Sequence, residues 1–268
     1  MKNPTSLDTL CAGLCYALGI DAPKEAAAPN ADLCAYIDKQ LKGQKADRIF
    51  MYNPDAIAQW LYEKYPQFFN AVTGVTDLQL PMCAVMPSVT PVCFGTMYTG
   101  AQPAVHGIQA YAKPVITIDT IFDALLRAGK KPVILATPNC SMAKIFLERD
   151  MDYFILDSIP AVNAKAAQLI LEDKYDFIAV YNGNYDARMH KTGPESIAAL
   201  GDLRINTHIF AMFSEMIAEH WPDHNTLLGF AMDHGCHEID DNCGSHGLDM
   251  DEDLNITHFY KILPKTNA

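Results

Sequence analysis

Seven side chains spread from Asp55 to His246 have the types needed for metal-assisted hydrolysis: Asp55, Thr90, Asp186, His190, Asp233, His234 and His246. Carboxylates and imidazoles supply the oxygen and nitrogen donors of such sites, and a hydroxyl becomes a useful nucleophile beside a dication. Spacing adds weight. Asp186 and His190 are four residues apart, which on a helical turn puts both on one face, within reach of the same ion. Asp233 and His234 are adjacent, so a loop could let them straddle a site that a regular strand would splay apart, with Gly235 permitting the tight backbone. His246 sits between Gly244 and Gly247 in an acidic stretch. Plainer readings exist: Thr90 before Pro91 also fits a helix N-cap, and Asp186 with His190 a surface pair.

The elements that must carry these residues follow from apolar runs alternating with helical patterns, which predict an α/β sandwich with a mostly parallel sheet. Expected strands are Ile49 to Tyr52, Lys131 to Ala136, Tyr153 to Leu156, Phe177 to Tyr181 and Thr226 to Met232, with Ile256 to Leu263 as a last, edge strand. Expected helices are Asp55 to Tyr65, Thr120 to Ala128, Ala161 to Glu172 and a long one from Ile197 to His220. Asp55, Asp186 and Asp233 each follow a strand, and ligands of open α/β sheets gather at strand carboxyl ends. Three acidic residues from three strands would therefore converge on one edge.

Half of the 268 residues are hydrophobic, enough for one large domain over 1–268. A net charge of −12 with 5 Arg argues against nucleic-acid polymers and anionic membranes as partners, while a metal site could still attract phosphate locally. No apolar run is long enough for a membrane span, and the stretch Leu10 to Ile20 reads as a helix rather than a signal peptide. Eight cysteines without a CxxC pair read as free thiols of a cytoplasmic protein. The run Asp240, Asp241, Asp249, Asp251 and Asp253 lacks calcium-loop spacing and reads as a solvated loop. His106 is expected to brace its loop, and His237 is close enough that it could stand behind the site.

The motifs resemble the alkaline phosphatase superfamily, and most its nucleotide pyrophosphatase/phosphodiesterase branch. Thr90, Thr99-Gly100, Pro103 and His106-Gly107-Ile108 match its nucleophile segment; Asp186 to Ser196 matches its Asp-x-x-x-His-Lys-x-Gly-Pro-Glu-Ser stretch; Asp233-His234-Gly235 and His246-Gly247 match its last ligand motifs. The resemblance covers roughly Ile49 to Pro264. It implies a three-layer α/β/α core, one metal held by Asp186, His190 and His246, and a second held by Asp55, Asp233, His234 and Thr90. Thr90 would be the nucleophile, forming a phospho-threonine, with two ions ~4 Å apart. Zinc suits the mixed ligands, and manganese fits them too. No organic cofactor is implied; the partner is a small phosphate ester, and homo-oligomerisation is open.

Four departures stand out. The family usually has Gly after the first Asp, where this chain has Ala56, and Asn53 rivals Asp55 as that ligand. Gln109-Ala110-Tyr111 stands where the branch carries an Asn donor, a role Tyr111 could take. Only about 40 residues separate His190 from Asp233, so the large cap of many relatives is missing and the site would be open or closed by another subunit. Finally, residues 1–45 resemble a segment that follows the last strand in relatives, as if permuted, and are expected to pack beside the C-terminal strand. Cys or Ser in a sulfatase setting is absent. Of the basic residues near the motifs, Arg188, Lys191 and Lys113 are the ones that could serve a monoester dianion, and the resemblance favours a diester or pyrophosphate. A phosphomonoesterase, a phosphomutase and a non-catalytic metal- or anion-binding protein are the alternatives.

Overall fold

The apolar runs become the middle of a seven-stranded sheet. In the computed structural model, which describes residues 1–266, the last two positions of the expected 1–268 domain and the side chain of Asp241 lie outside the described residues. The strands are β1 (Arg48–Pro54), β2 (Leu78–Cys83), β3 (Pro132–Ala136), β4 (Asp152–Ile155), β5 (Phe177–Asn182), β6 (Thr226–Phe230), β7 (His237–Ile239), β8 (Cys243–Ser245) and β9 (Asn255–Leu263). The large sheet runs β2-β9-β6-β1-β5-β3-β4, and β7 pairs with β8 in a separate hairpin. Strands β6, β1, β5, β3 and β4 are mutually parallel, whereas β9 is antiparallel to both neighbours. Every residue of β3, β5 and β6 is buried, as expected of parallel strands covered on both faces.

The two-residue period of β1 shows how the layers form. Phe50 and Tyr52 point to one face, where Phe50 lies 5.3 Å from Phe213 of the helix Ile197–His220. Asn53 points to the other, where it meets Tyr98 of the helix Thr90–Thr99. The result is the expected α/β/α sandwich. Between His190 and Asp233 the chain is taken up mainly by the helix Ile197–His220 and β6, and no cap intervenes.

Two expectations are corrected. Ile256 to Leu263 does form a strand, but it lies inside the sheet between β6 and β2. The actual edge, β2, has a Pro in the ladder and alternating exposure, which is tolerable only at an edge. The helix expected from Asp55 is shortened to Gln59–Lys64, for a reason given below. The N-terminal segment joins the common core through Leu7, Leu10 and Leu14. Ser6 bridges Cys83, the Asn3 amide donates to the carbonyls of Met82 and Ile256, and the backbone N–H of Ile262 donates to the Tyr36 hydroxyl.

Candidate metal centre

Three neighbouring strands, β6, β1 and β5, end at the same edge. Asp55 directly follows β1, Asp186 lies in the first turn of the helix Asn184–Thr192 after β5, and Asp233 follows β6 by three residues. Backbone bonds carry the sheet a step past its strands: Asp55 N–H to Asn182 C=O, 3.0 Å, and Ala231 N–H to Tyr52 C=O, 2.9 Å. Buried amides tie the same ends together. Asn182 donates to the Tyr52 hydroxyl and accepts from the Asn184 N–H; Asn53 donates to Ala231 C=O and accepts from the Tyr98 hydroxyl. Asn53 thus spends its amide one layer below, and of the two rivals it is Asp55 that joins the cluster.

The side chains form two adjacent groups, each with its donor atoms within 4.8 Å of one another: Asp55, Asp233 and His234 in one, Asp186, His190 and His246 in the other. In the first, His234 Nε2 lies 3.5 Å from Asp55 Oδ1, 3.3 Å from Asp233 Oδ2 and 3.4 Å from Thr90 Oγ1. In the second, His190 Nε2 lies 3.1 Å from Asp186 Oδ1 and 3.1 Å from His246 Nε2, which is 3.3 Å from the same carboxylate oxygen. The groups adjoin through His234 and His246, whose rings are 4.1 Å apart.

Each imidazole is turned by a backbone carbonyl. Nδ1 of His190 donates to Gly244 C=O at 2.9 Å, Nδ1 of His246 to Ser88 C=O at 3.1 Å, and Nδ1 of His234 to Gly235 C=O at 2.8 Å. A neutral ring with its proton on Nδ1 presents a bare lone pair on Nε2. The carboxylates repeat the pattern. Asp55 Oδ2 accepts from the Tyr181 hydroxyl and Asp233 Oδ1 from the Ala56 N–H, while Asp55 Oδ1, Asp233 Oδ2 and Asp186 Oδ1 are buried without a hydrogen-bond partner. With all three rings neutral, six lone-pair donors aimed inward repel one another unless cations lie between them, so the donor set fits a pair of divalent ions.

The electrostatics divide the two groups. Burial, and then the charge of Asp186, pushes the Asp55 carboxyl up to about 7. Burial and the charge of Asp55 raise Asp233 as well. Burial and the neighbouring His246 lower His234 to about 3, keeping it neutral. For Asp186 burial favours the protonated acid, yet His190 and His246 together outweigh it and hold the carboxyl below the usual range.

Local structure explains how each residue gets there. Thr90 opens its helix but does not cap it: Val89, in extended conformation, is the N-cap, which leaves the threonine hydroxyl to face His234. Residues 55–58 cannot continue into a helix because Ala56, with φ of 61°, turns its N–H to Asp233. Gly235 is required less by its dihedrals than by proximity, since a side chain there would strike the Glu252 carbonyl. Gly244 lets the β7–β8 hairpin press against Met189 and deliver its carbonyl to His190.

Among the other residues singled out, His106 binds Thr96 Oγ1 at 3.1 Å and takes the Ile108 N–H, bracing its loop as expected. His237 donates to Asp253, which also accepts from the Leu248 N–H and is fully buried, unlike the solvated residue expected in that acidic run. Tyr111 is 64% exposed, with the Lys113 ammonium 5.0 Å from its ring centroid. Arg188 pairs with Asp202 at 3.0 Å, and Lys113 donates to Asn139 C=O. Two residues escaped the sequence reading. Tyr181 holds Asp55, and buried His258 donates to Met232 C=O at 2.6 Å, pinning the turn before Asp233. A polar residue at an inward position of an apolar strand is the only signal either carries.

Beside Asp186 and Tyr181 opens a cavity of about 520 Å³ lined by Asn139, Cys140, Ser158 and Asn184. No helix among the described residues is long and apolar enough to cross a membrane.

No family model and no curated protein sequence matches the chain. Solved structures do. Murine ectonucleotide pyrophosphatase/phosphodiesterase 5 aligns with a TM-score of 0.59 at 17% identity over 72% of this chain and 58% of its own. An inactive form of that protein in complex with AMP gives 0.58 at 16% identity, over 73% and 59%. Phosphonoacetate hydrolase from Sinorhizobium meliloti, in complex with phosphonoformate, gives 0.53 at 16% identity, over 76% and 61%. The chain thus spans about three fifths of the length of these proteins. Its seven-stranded, mostly parallel α/β architecture is shared with these solved structures, the fold that the resemblance at Thr90, Asp186 and Asp233 leads one to expect.

Proposed function

We propose that the chain is a metal-dependent hydrolase of phosphoric esters, of the phosphodiesterase/nucleotide pyrophosphatase type, with Thr90 as its nucleophile. The observation that carries this is the convergence of six inward-facing donor atoms beside the Thr90 hydroxyl. Asp186, His190 and His246 would hold one dication and Asp55, Asp233, His234 and Thr90 the other, zinc before manganese, supplying Lewis acidity and charge for the phosphoryl oxygens.

The chain's own atoms then have defined tasks. Thr90 Oγ1 attacks phosphorus while the bond to the departing alcohol breaks, leaving a phospho-threonine. The helix that Thr90 opens aims backbone N–H groups at the phosphoryl group. Water enters from the side where His190 is exposed, attacks the phosphorus and frees the threonine. The adjoining cavity has room for the organic group of the ester. Of the three basic candidates, Arg188 and Lys113 are already engaged with Asp202 and Asn139 and only the exposed Lys191 remains to meet the extra charge of a monoester, which favours a diester. Eight free thiols support a reducing, cytoplasmic setting.

Initial rates of zinc-loaded protein on an aryl phosphodiester and the matching aryl monoester test the reading. A strong diester preference is expected. A monoester preference would overturn the diester assignment, and no rate on either with metal bound would favour a binding-only protein.

A further inference from the structure

We propose that Tyr181 is a positioning residue that sets the metal affinity of the Asp55, Asp233 and His234 half of the centre without affecting the other half. The inference rests on the two-ion reading above.

The argument starts from what orients each donor. His190, His246, His234 and Asp233 are held by peptide groups, which survive any side-chain change short of proline at Ala56. Asp55 is held instead by a side chain, the Tyr181 hydroxyl, at 2.5 Å from Oδ2. That bond occupies one carboxylate oxygen and leaves Oδ1 bare, facing His234. Tyr181 is itself fixed. It sits on β5 in register with Asn53 of β1, and its ring packs edge-on against Phe94, 5.8 Å between centroids. Gly183 then makes room for the hydroxyl: a Cβ there would lie 2.6 Å from it.

A carboxylate with one oxygen occupied and the other aimed makes a one-oxygen ligand. Freed of the tyrosine, Asp55 could rotate or take the ion through both oxygens, and the cluster geometry would loosen. Hydrogen bonds behind ligands of this kind change metal affinity by about 10–100-fold. The effect should be confined, because His190 and His246 draw their orientation from the carbonyls of Gly244 and Ser88.

The test is zinc binding by competitive chelator titration on the wild type, Tyr181→Phe and Gly183→Ala. Phenylalanine keeps the ring packing and deletes only the hydroxyl; alanine at 183 keeps the tyrosine and displaces the hydroxyl. The wild type should bind two equivalents. In Tyr181→Phe one of the two should weaken by about 10–100-fold with the other unchanged, and Gly183→Ala should weaken the same site. Two unchanged affinities in Tyr181→Phe, or equal loss at both sites, would overturn the proposal. A wild type that binds fewer than two ions would instead remove the two-ion reading, and Tyr181's assigned role with it. If Tyr181→Phe does not fold, Gly183→Ala alone decides.

Discussion

Asp55 and Asp233 are sealed from solvent beside a fully buried His234, whereas His190 leaves 41% of its side chain in water and Asp186 leaves 19%. The two halves use the same donor types in opposite surroundings. The sealed half places two carboxylates together in a low-dielectric pocket with one neutral imidazole, so each carboxyl resists ionisation. In the open half one carboxylate faces two imidazoles, and its charge is compensated within the group. The sealed half therefore depends on a cation for its charge balance, while the open half can stand without one.

The largest expected effect concerns Thr90, which borders the sealed half. Thr90→Ala should lower phosphodiester turnover by at least ~10³-fold with two equivalents of metal still bound, read by rates together with metal analysis. Turnover at the wild-type rate would remove Thr90 as nucleophile.

Next comes the metal-free protein. Asp55 has a folded pKa of about 7, above its unfolded value, so the folded state binds more protons and stability falls as pH rises from roughly 4 to 7. The raised Asp233 acts in the same sense. Asp186 has the opposite sign: its depressed carboxyl stabilises above the unfolded pKa and loses that contribution as pH falls through the folded value. Urea unfolding in chelator at pH 8 should show Asp55→Asn more stable than wild type, by up to roughly 4 kcal/mol, and Asp186→Asn no more stable. If both substitutions shifted stability alike, the contrast between the halves would fail.

A chelator should also strip the halves in order, with the ion of the open half leaving at least ~10-fold faster, because its exit requires no opening of the core. Single-phase release of both ions, followed with a colorimetric indicator, would contradict this. The smallest effect is expected at Ala56, whose left-handed φ serves the sealed half. Ala56→Gly should raise the melting temperature of the metal-loaded protein, through a gain of about 1 kcal/mol. A lower melting temperature would show that Ala56 is not strained.

The sheet and the site differed in how far the residues alone revealed them. Buried parallel strands announce themselves as unbroken apolar runs, and β1, β5 and β6 stand where those runs are. β2 escaped because an edge strand with Pro81 and half-exposed positions has no such run, and with β2 unseen β9 looked like an edge. The candidate donors were legible because several motifs, each ordinary alone, together resemble those of one family. Their supports were not. Tyr181 offers only a hydroxyl at the end of an otherwise apolar strand, and the separation of the donors into a sealed and an open half depends on packing that no spacing records.

Four of the six donors take their aim from a peptide carbonyl or amide: those of Gly244, Ser88, Gly235 and Ala56. A main-chain group outlasts the residue that contributes it. Over evolutionary time the neighbourhood of such a centre is a small mutational target, free to drift as long as the backbone keeps its path. Descendants could exchange nearly every letter around the donors and still inherit their orientation, so kinship among such proteins would be recorded in shape long after it had faded from the alphabet.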